Sequence, residues 1–293
     1  MQEVYTLTGN RLTIDVKKAG AEICSIKRLQ DNKEYMWSGD PEVWSGISPI
    51  LFPIVGALKD RKYIYNDKEY SLPQHGFFRD NNLVELSGQT PESLTFMLKS
   101  DEESLLFYPF HFEFYVTYIL KDNTIQVSHR VKNIGRGPMY FSLGGHPAFK
   151  CPMEEGEIYA DYFLEFSDKE TVNRYNITDE GLIGYADELV LKESSTINLH
   201  YDLFNRGALV FKEFKSNSVS LVSKRSGKKL QVNFKGFPYL GIWAKPRGHY
   251  VCIEPWLGIA DSINSLQQLE EKEGIIKLDE GNQYEADWSI EIS

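Results

Sequence analysis

The 293 residues carry 42 acidic against 32 basic side chains, a net charge of −10, and 42% of them are hydrophobic. A chain of this size can bury about 75% of its unfolded surface, so a large core needs no staples, and its ordinary Gly and Pro usage excludes collagen-like and low-complexity classes. Its acidity offers no global attraction to nucleic acid or anionic membrane.

No apolar run approaches the roughly 18 residues of a membrane span. The opening MQEVYTLTGNRLTIDV lacks the basic start and apolar run of a signal peptide, so a cytoplasmic location is expected. Cys24, Cys151 and Cys252 are scattered and form no CxxC pair, which implies neither a disulfide framework nor a cysteine zinc site.

Period-two alternation dominates the chain. Short runs at 12–16, 22–28 and 94–99 fit strands. Phe112, Phe114, Val116, Tyr118 and Leu120 share one face, Lys121-Asp122-Asn123 is a turn, and Ile125, Val127 and Val131 resume the apolar face. The stretch 112–131 is therefore a predicted β-hairpin, with His129 in phase with its core face. Strands at 140–143 and 162–167 follow. From Ser167 to His200 the sequence is less apolar and reads as a long, partly irregular excursion. Further strands are expected at 208–213, 218–223, 229–234, 239–243 and 250–254. Ser265 to about Lys272 is the best helical candidate, with Asn264 as N-cap and Gly274 as its stop. Glu270-Glu271-Lys272-Glu273 reads as a solvated face. At 283–292, Tyr284, Ala286, Trp288, Ile290 and Ile292 point one way and Glu285, Asp287, Ser289 and Glu291 the other. Many short strands, no repeat of about 20–50 residues and no linker predict an all-β fold, a large antiparallel β-sandwich with few short helices, as a single domain over 1–293.

Three segments interrupt the strand pattern: Pro73–Asp80, Ser142–Phe149 and Tyr250–Gly258. Each sets an ionisable residue among aromatic, Gly and Pro residues, which let backbone approach a ligand and supply a dry wall. Glu254 lies among Cys252, Ile253 and Trp256, where desolvation raises a carboxyl pKa towards the range of a general base. A structural ion pair at a strand end fits the same spacing. His146 follows two glycines and precedes a proline, which favours extended backbone. It reads equally as an acid/base group or as a turn histidine bonded to a carbonyl. His75 reads more simply as a structural loop histidine, and Arg79 as a salt-bridging arginine, for instance with Asp80 or a more distant carboxylate. His129 reads as a satisfied core histidine, and His111, His200 and His249 have no supporting context. His75, His146 and Glu254 could make a His₂Glu metal site, but the short His spacings typical of such sites are missing. No GxSxG, GxxxxGK[ST], HExxH or GxGxxG motif occurs.

At these segments the sequence resembles the aldose 1-epimerase (galactose mutarotase) superfamily, most closely its LacX-like branch. The resemblance extends to Trp44–Gly56, Tyr108-Pro109-Phe110 and Trp243-Ala244-Lys245-Pro246, and is most distinctive at Ile253–Asp261. It implies a galactose mutarotase-like supersandwich with a sugar cleft, and no metal or organic cofactor for the chemistry. It further implies interconversion of the α and β anomers of a hexose or hexose phosphate, with Glu254 as base, His146 as acid and His75 binding the sugar. A phosphosugar needs a cationic contact, for which Arg79, Lys245 and Arg247 are available. One departure stands out: Gly207 falls where family members commonly carry Asp, with Asp202 and Asn205 nearby as substitutes. That departure motivates the alternative of a non-catalytic carbohydrate-binding or sensing protein on the same fold. A glycoside hydrolase would need two carboxyl groups flanking the bond, and only one acid is well placed. No apolar heptad or sticky edge commits the chain to an oligomeric state.

Overall fold

A computed structural model describes residues 3–293. The alternating stretches become strands because burying one face removes their apolar side chains from water while the ladder satisfies the backbone. In the hairpin Phe112–Lys121/Thr124–Asn133, residues 112, 114, 116, 118 and 120 are all buried, and Val116 faces His129 across the ladder. His129 is fully buried, accepts a hydrogen bond from the Trp288 indole N–H at 3.0 Å and stacks on Phe114. It is the core histidine its phase predicts, but only half satisfied: its Nδ1 is buried without a hydrogen-bond partner. The final strand, Gln283–Ile292, lies between that hairpin and Lys229–Asn233.

The fold is all-β. A fifteen-stranded sheet runs from Ile50–Leu51 to Glu85–Gln89, and a four-stranded sheet is built from Val4–Thr8, Leu12–Lys17, Ile23–Arg28 and Lys33–Glu34. Every paired strand is antiparallel to its neighbour. Inward faces of both sheets meet in one core, where Leu12, Ile14 and Val16 join Phe96, Phe114 and Val116. Tyr118 ties the layers by donating to the Ala21 carbonyl at 2.6 Å. The one α-helix among the described residues is Ser104–Phe107.

Three expectations need correction. Residues 167–200 are no irregular excursion: Tyr162–Ile177 and Ile183–Asn198 form a long hairpin with several register shifts. Its pattern is obscured because polar residues occupy inward positions. Glu170 accepts from the Ser216 amide and hydroxyl, and Arg174 donates to the Arg206 and Ala208 carbonyls. The helix expected at 265–272 is absent apart from a 3₁₀ turn at Leu269–Glu271. Gln267 adopts φ +63°, and its carbonyl accepts from the Ile64 amide, which holds the segment extended against Lys62–Tyr65. Lys272, expected on a solvated face, is buried.

Candidate active site

Four consecutive strands towards one end of the large sheet contribute residues to a cavity: Tyr250–Trp256, Tyr239–Trp243, Leu209–Lys212 and Tyr162–Ile177. Its volume of 360 Å³ falls within the roughly 300–1,000 Å³ of small-molecule sites. His75, Arg79, His146 and Glu254 all line it. The structure brings together the four residues singled out from separate parts of the chain.

Register accounts for the central pair. Gly144 pairs with Trp256 and Ala148 with Cys252, so His146 lies directly across the ladder from Glu254. On the other side Gly241 faces Glu254 and adds no side chain, and the Trp256 ring lies over it. His146 Nε2 is 3.3 Å from Glu254 Oε2. Glu254 is only 2% exposed, and its Oε2 and the Nδ1 of His146 lack hydrogen-bond partners. Burial pushes the Glu254 carboxyl well above its ordinary pKa, with the Trp256 indole opposing that shift. Burial also drives His146 well below its usual range, helped by His75 and Arg79. Both groups are thus biased against charge in this cavity.

The loop carrying His75 is held in left-handed backbone at His75 (φ +67°) and Gly76 (φ +73°). A Cβ at Gly76 would lie 2.2 Å from the Phe52 carbonyl oxygen, so only glycine fits. His75 Nδ1 accepts from the Gly56 amide at 3.1 Å, which fixes the proton on Nε2 and makes that atom a donor. Burial, then Arg79 and Arg61, lower its pKa to about 3. Arg79 Nε lies 3.5 Å from Asp80 Oδ2, a loose pair that leaves the guanidinium available to the cavity.

Several lining residues escaped the sequence reading. Trp44 stacks on His146 with ring centres 4.9 Å apart, and Trp243 meets His146 edge-on. Gln74 adds a polar edge, whereas Ile177, Ile183, Ala208 and Val210 form an apolar wall. Trp44 and Trp243 lie in the motifs that carry the resemblance, a signal of location without role. Gln74 lies in the singled-out segment Pro73–Asp80 but was given no role there, and the hairpin tip carried no signal. Gly207 lines the cavity, and a Cβ there would meet nothing within 4 Å. Asp202 and Asn205 do not line it; they bond to each other instead. Lys245 and Arg247 do not line it either.

Metal-like spacing among the described residues occurs at His146, Cys252 and Glu254, whose donor atoms all lie within 4.8 Å of one another. The grouping of His75 with His146 and Glu254 is not reproduced, since His75 is not part of this cluster. Burial holds the Cys252 thiol well above its ordinary pKa.

A sequence profile of the aldose 1-epimerase family matches residues 3–290. The chain belongs to the aldose 1-epimerase family. The plasmid and chromosomal LacX proteins of Lactococcus lactis subsp. lactis are each 36% identical over 281 residues, covering 93% of both chains. A galactose mutarotase related enzyme from Lactobacillus acidophilus superposes with a TM-score of 0.94 at 36% identity, over 99% of this chain and 97% of that one. A galactose mutarotase-like protein from Lactobacillus casei gives 0.91 at 27% identity, over 99% and 100%. Within this aldose 1-epimerase fold, the antiparallel β-sandwich expected from strand patterning holds.

Proposed function

We propose that the protein is an aldose 1-epimerase that opens and recloses the ring of a hexose in this cavity. The observation that carries the reading is the buried Glu254–His146 contact. Glu254 accepts the proton of the C1 hydroxyl, and the O–H bonding pair becomes the second bond of C1=O. The C1–ring oxygen bond breaks, and the ring oxygen takes a proton from His146. Rotation about C1–C2 presents the other aldehyde face; the ring oxygen then attacks C1, returning its proton to His146 while Glu254 reprotonates the carbonyl oxygen. The two oxygens share one carbon, so neighbouring groups on adjacent strands reach both.

Burial disfavours an isolated carboxylate or imidazolium here, so the resting pair holds its proton as neutral Glu254 and neutral His146. The facing atoms lie 3.3 Å apart without a hydrogen bond, so a small turn of either side chain on sugar binding would align them for a transfer that generates carboxylate and imidazolium with no proton from solvent. Entering sugar hydroxyls supply the hydrogen bonds that stabilise the charged form. His75 donates through Nε2 to a sugar oxygen, and Trp44 and Trp243 wall off water. Each proton transfer contributes about 10²–10⁴-fold.

The cationic Arg79 motivates phosphorylated hexoses as substrates alongside free ones. Polarimetry on fresh anomers of glucose, galactose and their 6-phosphates tests the reading and ranks the sugars. Acceleration over the spontaneous rate with at least one sugar is the expected result. Gly207 favours a second reading, a sugar-binding protein without turnover, because it leaves the cavity without the family's second carboxylate. Tight binding with unaccelerated anomer exchange would support that one.

A further inference from the structure

Lys272 and Asp261 are a buried ion pair outside the cavity, their side chains each 3% exposed and 2.9 Å apart at Nζ and Oδ1. Lys272 Nζ also donates to the Ile259 carbonyl. The other Asp261 oxygen accepts from the Lys59 amide at 3.0 Å. Its backbone makes two further connections: its amide donates to the Ala57 carbonyl, and its carbonyl accepts from the Ile183 amide, both at 2.8 Å.

These contacts reach three parts of the cavity wall. Ala260 precedes Asp261, and Ile183 ends the tip of the long hairpin. The third part is the Gly56–Lys59 arm, whose Gly56 amide sets the His75 tautomer and whose Gly56 carbonyl accepts from the His75 amide. Gly56 packs so closely on Ala260 that a Cβ there would lie 2.4 Å from the Ala260 Cβ. A shift of residues 259–261 must therefore move Gly56, and His75 with it.

We propose that Asp261, anchored by the Lys272 ammonium, is a positioning residue that holds the His75 wall and the hairpin tip in register with Glu254. Its relevance to sugar rests on the cavity being the sugar site. A buried charge pair often stabilises no better than an apolar pair of similar volume, so folding alone does not explain its presence.

The test pairs D261A/K272M, which removes both charges together, with D261N/K272M, which restores an acceptor for the Lys59 amide. Thermal unfolding, kcat and KM for the best sugar, and NMR of the His75 ring are the readouts. In folded D261A/K272M, KM rises about tenfold with kcat changed less than about threefold, the scale of one lost hydrogen-bond link. The His75 titration moves up from about 3 towards 6.5 as the loosened loop lets water reach the buried ring, with Arg79, Arg61 and the His146 ring 5.8 Å away still in place. D261N/K272M recovers part of both. A folded D261A/K272M with unchanged KM and an unchanged His75 spectrum overturns the proposal. Should that variant not fold, D261N/K272M, which leaves no unpaired buried charge, alone carries the test: smaller shifts in the same directions support it and none overturns it. If the wild type accelerates no anomer exchange, the epimerase reading fails, whereas the His75 spectra still decide the positioning role.

Discussion

At Glu254 and His146 two titratable groups touch in a space that stabilises neither charge. Such an arrangement is disfavoured unless a ligand supplies the missing hydrogen bonds. The sequence announced it through apolar neighbours and flanking prolines, whereas Trp44 was legible only as part of a motif, because its stacking on His146 depends on tertiary placement. Trp44→Ala lets water reach His146 and removes part of the burial that holds its pKa down. The His146 titration then moves up towards 6.5, readable by NMR, and KM for the sugar rises. At Lys272 a local rule misled: its acidic neighbours imply a solvated face, but its partner Asp261 lies 11 positions away and takes it inside.

Among the elements, strands with strict alternation were legible and those whose bulges shift it were not. The hairpin 112–133 buries every second position, and these are apolar except at His129 and Asn133, so the period survives two polar residues. The hairpin 162–198 hides its inward face behind Glu170 and Arg174, and its bulges shift the period. The 265–272 segment carried a helix cap and stop, yet left-handed Gln267 and the contact to Ile64 override that propensity. The loop bearing His75 is the element most sensitive to a single methyl group. Gly76→Ala forces left-handed backbone on a residue with a Cβ and presses it into the Phe52 carbonyl. A stability loss of about 1–3 kcal/mol is expected in urea unfolding, with KM raised more than kcat is lowered because His75 shifts.

For the molecule as a whole, the two-sheet core and its antiparallel order were readable because they arise from repeated, local period-two signals. The cavity walls were not, since residues from 44 to 260 meet there only after folding. The core also sets an acid limit. His129 stays neutral in the fold down to about pH 3, against an ordinary pKa of 6.5. Below pH 6.5 the unfolded chain takes up a proton that the native core refuses, so this histidine's contribution to stability falls as pH drops through that window. The loss is about 2 kcal/mol between pH 6.5 and 5. Urea unfolding of wild type and His129→Gln at both pH values measures it: the variant should show the shallower dependence, and equal slopes would refute the assignment.

The proposed acid/base roles of Glu254 and His146 are probed most directly by two-dimensional exchange NMR on an equilibrated sugar. Cross-peaks between the α and β C1 protons report interconversion without displacing either anomer from equilibrium. Wild-type protein should raise the exchange rate in proportion to its concentration. Glu254→Gln and His146→Asn should each lower that increment about 10²–10⁴-fold, and the double variant little further. An undiminished rate in folded Glu254→Gln would contradict the account.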